Sequence, residues 1–329
     1  MLERVLSRCV TGALLVFAVV TFTFLLINLA PGDPARLWVG PGAGTAELEA
    51  ARQALGLDRS LPVRYWSWLV RFVTGDWGTS LVQQRPVTGI IASALPHTIL
   101  LSAGSLFITY IGSVLLGLFQ AAHARGFWDR TLSALSLLAY GIPAYWLAAM
   151  LVMVFAYASA RYGWPAVLRL PAMGASALDA EYLSPWGQVA DRIRHLILPL
   201  TTLGVIGIAG TSRFVRGAVL DVTHQNHVAV ARARGLRPWR VQGLYIMRNA
   251  LVPIVTLMGL SLPALFSGTV FVEVVFALPG MGREIVSAVS SRDYPVVMAT
   301  TAIFAALVVV GNLLADLFQG VLDPRVRQP

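Results

Sequence analysis

Side chains that could do chemistry are few and scattered in this 329-residue chain, in which 12% of the residues are charged. The five histidines contain one close pair, His224 and His227, at an i, i+3 spacing. A protein zinc site needs three or four such ligands, and the sequence places no third ligand near this pair. We therefore predict no metal site.

The sequence also lacks motifs of catalysis and nucleotide binding. An intramembrane hydrolase needs a His-Glu-x-x-His helix or a Gly-x-Ser-Gly element, and neither occurs. A phosphate-binding loop that ends in Lys-Ser/Thr is excluded, because every basic residue other than histidine is an arginine. We predict that the chain is not an enzyme, has no catalytic residues and binds no cofactor itself.

Three polar side chains stand inside apolar stretches. Glu273 lies near the end of one stretch, and Asp316 lies in another with Asn312 one turn before it. A carboxylate in a bilayer costs about 2.5–3.5 kcal/mol on insertion scales, so it usually faces a bundle interior or water. These three residues are candidates for a translocation path or gate. Alternatively, Glu273 caps the loop that follows it, and the other two bond a neighbouring helix.

The elements that position these residues are six apolar stretches. Hydrophobic residues make up 57% of the chain and its mean hydropathy is +0.70, whereas soluble domains are about 45–50% apolar. Each stretch reaches the roughly 17 residues that a membrane-crossing helix needs. The stretches are 9–30, 98–122, 132–160, 196–212, 250–276 and 296–322. We predict an all-α polytopic membrane protein with six transmembrane helices; with Cys9 as the single cysteine, no internal disulfide can form.

The distribution of arginines predicts the orientation of these helices. Segments 1–8, 123–131, 213–249 and 323–329 together carry a net charge of +9, whereas the other connecting segments carry +2. Cytoplasmic segments of membrane proteins are enriched in arginine, so the first set and both termini are predicted to be cytoplasmic. Because topology accounts for the basic charge, no nucleic-acid partner is predicted.

The predicted domains follow from this topology. Residues 1–30 form an N-terminal segment with the first transmembrane helix, and 31–97 form a small external cap between helices 1 and 2. The cap is predicted to contain amphipathic helices at 46–57 and 63–73, the second of them rich in aromatic residues typical of the headgroup level. Residues 98–322 form a five-helix core that includes the loop 213–249, and 323–329 form a cytoplasmic tail. Gly141-Ile-Pro143 is predicted to interrupt the third span.

The loop 213–249 is the least membrane-like part of the cytoplasmic face. His227–Arg234 has a helical composition, and Gly235 is predicted to end that helix because glycine adopts left-handed backbone angles without strain. A second helix is predicted to begin around Pro238. The resulting helix–glycine–helix knob is suited to a groove on a cytoplasmic partner. The alternative is a solvated basic loop attracted to anionic lipid.

The run from His227 to Leu236 resembles the ATPase-docking loop (the EAA loop) of ABC importer permeases. Its small residues and its glycine have the expected spacing, but Ala229 stands where the generic motif has glutamate. The run Arg248-Asn-Ala-Leu-Val-Pro253 narrows the resemblance to the dipeptide, oligopeptide and nickel permeases. The resemblance assigns eight residues to the ATPase-coupling loop: His227, Ala229, Ala231, Arg232, Gly235, Leu236, Pro238 and Trp239.

Further motifs similar to that family occur in order along nearly the whole chain. They lie at 30–34, 55–58, 61–62, 75–78, 86–87, 95–98, 142–146, 195–199, 273–276, 279–282, 292–295, 312–316 and 323–327. No single motif is specific to that family, but the order in which all of them occur along the chain is.

The resemblance implies a type I ABC importer permease of the bacterial inner membrane, in the role of the first (B-type) permease subunit. Its implied partners are a second homologous permease, two cytoplasmic ATPases that bind ATP and magnesium, an external solute-binding protein and membrane lipid. Short peptides are the expected cargo. Nickel or a metal chelate is the alternative, because the motifs at 84–87 and 170–174, and His227-Val after Gln225, resemble nickel-type members. A self-sufficient secondary transporter is a remote alternative, because the chain shows no internal repeat.

Overall fold

The computed structural model describes residues 2–29, 34–40, 42, 44–54 and 56–322, and within these ranges it is helical without a strand. The first helices are α1 (Leu2–Leu29), α2 (Pro34–Val39), α3 (Thr45–Ala54), α4 (Leu61–Val73), α5 (Val87–Ala122), α6 (Phe127–Tyr140), α7 (Ala144–Val152) and α8 (Ser159–Arg161). The later ones are α9 (Pro185–Thr223), α10 (Asn226–Ala233), α11 (Pro238–Arg240), α12 (Arg248–Val275), α13 (Met281–Ser291) and α14 (Tyr294–Leu322). Two π-helical segments, Met153–Ala158 and Val241–Met247, and two 3₁₀ turns, Ala166–Leu168 and Ala180–Tyr182, complete the described part.

The apolar stretches form the long helices. Within the described ranges, five segments are long and apolar enough to cross a membrane: Leu6–Leu29, Val87–Ala122, Ala144–Arg161, Pro185–Thr223 and Tyr294–Leu317. The remaining predicted stretch, 250–276, coincides with α12, whose 28 residues rise about 42 Å. The predicted all-α membrane fold is confirmed.

The third predicted span, 132–160, is divided in the structure. Helix α6 ends at Tyr140, where the Gly141 amide still donates to the carbonyl oxygen of Leu137 over 3.2 Å. Pro143 has extended backbone angles and precedes α7 as its cap. Since proline has no N–H and its ring blocks a preceding helical turn, the apolar helix begins again only at Ala144. The span therefore begins later than residue 132, and α6 is a helix of its own.

The chain packs as two compact units. The cap unit contains residues 2–97 and 279–309, and the loop unit contains 98–278 and 310–322. The first apolar helix and the segment predicted as the cap therefore belong to one unit.

In the cap unit, the amphipathic helix α4 packs on the first apolar helix through aromatic rings. The ring of Phe24 lies 5.2 Å from that of Tyr65, and Trp68 and Phe72 stack at 5.1 Å. The Tyr65 hydroxyl is also hydrogen-bonded to Thr21 Oγ1 at 2.6 Å. The helix predicted at 63–73 is confirmed, whereas the helix predicted to reach residue 57 ends at Ala54.

Two of the family-like motifs have structural roles in the cap unit. Asp293 is buried, and its carboxylate accepts hydrogen bonds from the amides of Leu81 (3.0 Å) and Val82 (3.3 Å) and from the hydroxyl of Ser80. In the motif at 75–78, Asp76 Oδ1 accepts the Gly78 amide at 3.1 Å. Both carboxylates fix turns. Asp293 also satisfies the buried amide of Leu81, which must find an acceptor away from water, whereas the Asp76 turn is exposed.

A buried ion pair joins α6 and α9 in the loop unit. Arg216 Nε and Nη2 each donate to Asp129 over 2.7 Å, and the Arg125 amide donates to the same carboxylate over 2.8 Å. The side chain of Asp129 is 4% exposed. The hydrogen bond from Arg216 lowers the pKa of Asp129 below its usual value and outweighs the opposing effect of burial. Loss of Arg216 should lower the stability of the fold, because the charge of Asp129 would stay buried without its partner.

Glycines bring α5 and α9 into close contact. A Cβ atom at Gly117 would lie 2.7 Å from Val215 Cβ and 2.8 Å from the carbonyl oxygen of Ser212. A Cβ at Gly207 would overlap Thr109 in the same way. Small residues at such positions let membrane helices approach closely and gain van der Waals contact.

We expect Gly117→Ala to lower the thermal unfolding temperature of the detergent-solubilised chain by a few degrees. The added methyl group meets backbone that cannot rotate away, and overpacking of this kind costs about 1–3 kcal/mol. Gly217→Ala is the matched control, because a Cβ there meets nothing within 4 Å and the gain in helix propensity is the same. Equal unfolding temperatures for the two variants would contradict this account of the α5–α9 contact.

Candidate functional site

The predicted knob is present, and its first helix, α10, has two distinct faces. Val228 and Ala231 are buried, whereas Ala229, Val230 and Ala233 are exposed. Residues three apart share a helix face, so one side of this short helix faces the protein and the opposite side is open. The exposed residues of α10 are Asn226, Ala229, Val230, Arg232 and Ala233, three of which are small and apolar.

Gly235 ends α10 as predicted. Its φ of +71° is left-handed, its amide donates to the carbonyl of Arg232 over 2.9 Å, and the amide of Leu236 donates to that of Ala231 over 3.4 Å. This pair of hydrogen bonds is the Schellman motif, in which glycine is preferred because other residues are strained at positive φ. A Cβ at Gly235 would meet nothing within 4 Å, so the requirement for glycine is one of backbone angle and not of space.

The chain then turns into α11, which begins at Pro238 as predicted. Trp239 is 63% exposed, and the guanidinium of Arg240 lies 5.1 Å from the centre of its indole ring. The π-helical segment Val241–Met247 continues directly into α12. This wide helical turn was not predicted, because π-helices have no sequence signature comparable to a glycine or proline.

The buried side of the knob belongs to a hydrophobic cluster shared with the long helices of the loop unit. Ten buried residues form it: Tyr110, Val215, Val219, Val222, Val228, Ala231, Val241, Ile246, Ala250 and Ile254. Leu236 packs against the cluster from its edge. Helices α5, α9 and α12 thus share one core with α10.

His227 fixes the knob from a second side. Its Nε2 lies 3.2 Å from the carbonyl oxygen of Tyr245, and the side-chain amide of Asn249 donates to the same oxygen over 2.8 Å. The tautomer protonated at Nε2 donates this hydrogen bond, so His227 acts here as a positioning residue. In the part of the chain that the structure describes, no group of three or more His, Cys, Asp or Glu residues is arranged to hold a metal ion.

The exposed side of the knob is basic. Arg232, Arg234, Arg237 and Arg240 are all exposed, and residues 226–240 contain no acidic side chain. Together with Ala229, Ala233 and Trp239, they form a surface of small apolar groups and one indole ring among positive charges. Such a surface fits a partner groove that is apolar at its centre and acidic at its rim.

The three candidate path residues lie elsewhere in the loop unit. Glu273, on α12, is completely buried, and the hydroxyl of Thr98 donates to its Oε1 over 2.8 Å. On α14, Asn312 is exposed and Asp316 is half-buried. Their assignment to a translocation path stays a prediction.

The two faces of α10 lead to a direct test. We expect Val228→Ala to speed hydrogen exchange of the amides of residues 226–234 about tenfold or more, because it opens a cavity where the knob joins the core. Val230→Ala removes the same atoms from a side chain that is 49% exposed, so exchange should stay at the wild-type rate. Mass spectrometry of the deuterated full chain measures both. Equal protection in the two variants would mean that the cluster does not hold the knob.

Comparisons with known proteins agree with this architecture. Residues 113–328 match the family described as the binding-protein-dependent transport system inner membrane component, and residues 1–102 match its N-terminal counterpart. The oligopeptide transport system permease protein AppB of Bacillus subtilis (strain 168) is 35% identical over 327 residues, which are 99% of each chain. The glutathione transport system permease protein GsiC of Pectobacterium atrosepticum is 37% identical over 309 residues, which are 94% of each chain.

A solved structure shows the same fold at lower sequence similarity. A chain of the inward-facing MetNI methionine ABC transporter superposes with a TM-score of 0.51 and 18% identity, over 72% of this chain and 95% of that one. The chain therefore belongs to the binding-protein-dependent transport system inner membrane components, as an integral inner membrane protein with the fold of an ABC importer permease.

Proposed function

We propose that this chain is the transmembrane subunit of an ATP-driven importer of short peptides and forms half of the translocation path. The observation that carries the proposal is the construction of the 226–240 loop. One side of the loop is an exposed docking surface, and the other side shares a core with the long helices. A loop built in this way passes a movement of its partner to the helix bundle.

The docking partner in this proposal is a cytoplasmic ATPase subunit. Ala229 leaves the surface without the acidic side chain of the generic motif, and the neighbouring arginines provide the polar contacts instead. Trp239 contributes the largest exposed apolar group of the knob. Aromatic and arginine side chains dominate binding energy at protein interfaces, so these residues should anchor the contact.

Coupling then takes the form of a shift between two states of the bundle. Closure of the ATPases on ATP moves the docked loop, and α9 and α12 move with it because their side chains share its core. The bundle thereby changes between inward-open and outward-open forms, as a partner that binds one form better shifts the population toward it.

The proposed assembly supplies what this chain lacks. Two ATPase subunits bind ATP and magnesium, a second homologous permease completes the path, and an external solute-binding protein delivers the cargo, so this chain is not catalytic itself. The arginine-rich segments and both termini face the cytoplasm. Glu273, Asn312 and Asp316 are proposed to line the path or its gate.

Peptides are the proposed cargo because the relatives are named for oligopeptide and glutathione transport. A bare metal ion would need several ligands of the His, Cys or carboxylate type, and no such group occurs among the described residues. The motifs at 84–87 and 170–174 favour the second candidate, a metal chelate, which needs only polar walls.

We expect Gly235→Val to abolish transport while the protein remains inserted in the membrane. A β-branched residue at a φ of +71° is strained, so α10 would lose its end and the knob its shape. Gly235→Asn should retain most transport, because asparagine tolerates left-handed backbone angles. Uptake of labelled dipeptide and stimulation of ATP hydrolysis by the loaded binding protein measure the effect.

Gly217→Val is the control for Gly235→Val, since Gly217 lies in α9 at a φ outside the left-handed region with open space around it. If Gly235→Val kept both transport and its coupling to ATP hydrolysis, the loop would not be the coupling element.

The cargo is tested separately from the coupling. We expect the binding protein that serves this permease to retain a short peptide through purification, and mass spectrometry of the released ligand identifies it. A nickel or metal-chelate ligand would support the second candidate. A sugar or a phosphate in that binding protein would contradict both.

A further inference from the structure

The cap unit contains a cavity of about 310 Å³ that the proposed transport function does not use. Its walls come from the C-terminal end of α1, from α4 and the turns on either side of it, and from the first turns of α14. The size lies at the lower end of ligand sites, which span roughly 300–1,000 Å³.

The cavity lies at the ends of two apolar segments, a level that corresponds to the edge of a bilayer if these segments span it. Phe24 and Ile27 line it from the last two turns of the apolar segment Leu6–Leu29, and Met298 lines it from the second turn of the apolar segment Tyr294–Leu317. A helix of 24 residues rises about 36 Å, whereas the hydrocarbon core is about 30 Å thick, so the ends of such helices reach the headgroups. Trp68 adds an aromatic ring of the kind found at that level.

The lining from α4 and from the turn before it is positively charged. Arg59, Arg64 and Arg71 line the cavity there, and Asp76 is the one acidic residue in the lining. Asp76 already accepts the amide hydrogen of Gly78, so its carboxylate is partly engaged in a turn. The lining therefore carries an excess of positive charge with room for an anion.

Arg64 contributes part of this positive charge. Its side chain is half-buried, and within the described part of the chain no carboxylate forms an ion pair with it. Burial lowers the pKa of the Arg64 guanidinium, which means that desolvation is not offset by a nearby negative group. A bound anion would remove this cost.

Another part of the lining is apolar. Phe24 and Ile27 contribute to it from α1, Met298 from α14, and Leu81 from the turn before α5. A free phosphate ion would contact the arginines but not the apolar side chains. An anion with a hydrocarbon part would contact both.

We propose that this cavity binds an anionic phospholipid. The phosphate group lies among Arg59, Arg64 and Arg71, which recognise phosphate oxygens through charge-assisted hydrogen bonds. The first carbons of the acyl chains lie against Phe24, Ile27 and Met298. The proposal is independent of the transported solute and of the 226–240 loop, so its test does not depend on the proposed function.

Native mass spectrometry of the full chain, purified in detergent, tests the proposal. Added phosphatidylglycerol should remain bound at a higher occupancy than phosphatidylcholine of the same chain length. Arg64→Gln combined with Arg71→Gln should lower the retained phosphatidylglycerol at least fivefold. Arg85→Gln is the matched control, because Arg85 is an exposed arginine of the same unit that does not line the cavity, and it should retain the lipid as the wild type does.

A single variant and three further results distinguish lipid binding from the alternatives. Arg71→Gln alone changes an exposed side chain, so it reports on lipid binding even if loss of the half-buried Arg64 unfolds the cap unit. Unchanged phosphatidylglycerol retention in this variant and in the double variant would overturn the proposal. Equal retention of phosphatidylglycerol and phosphatidylcholine would overturn it as well. So would protection against thermal unfolding by inorganic phosphate without retained lipid, because the ligand would then be a free ion.

Discussion

The arrangement of the loop unit depends on one hydrophobic cluster at the base of the 226–240 loop. An eight-residue helix such as α10 is too short to be stable alone in water, so its structure depends on the burial of Val228 and Ala231 against α9 and α12. The same burial joins the exposed face of α10 to the long helices, which the proposed coupling role requires. Gly235 and His227 then set the angle at which this surface is presented.

Two buried carboxylates among the described residues stabilise the fold through hydrogen bonds. Asp293 holds the turn at residues 80–82, and Asp129 holds Arg216 between two helices of the loop unit. Burying either carboxylate without a partner would cost folding free energy, and each one accepts hydrogen bonds from several donors. A family-like motif that contains a buried carboxylate therefore does not by itself indicate a transport path. Glu273 is also a buried carboxylate that accepts a hydrogen bond, in its case from Thr98.

The exposed surface of the 226–240 loop and the arginine-lined cavity use the same residue type in two ways. The arginines around Trp239 are exposed and form a basic surface suited to an acidic protein rim. Arg64 is half-buried beside apolar side chains, where a positive charge needs a compensating anion. The arginines that give the net charge of +9 therefore have different environments in different parts of the chain.

The sequence by itself determined the features that depend on local chemistry. Six apolar stretches long enough to span a membrane, the end of α10 at Gly235 and the start of α11 at Pro238 follow from hydrophobicity, from the backbone freedom of glycine and from the missing N–H of proline. Only the tertiary structure decided which valine of α10 is buried, since Val228 and Val230 have the same propensity and differ only in what packs against them. It also decided the pairing of Asp129 with Arg216 and the cavity beside Arg64, because these join residues far apart in the chain whose approach no local pattern encodes.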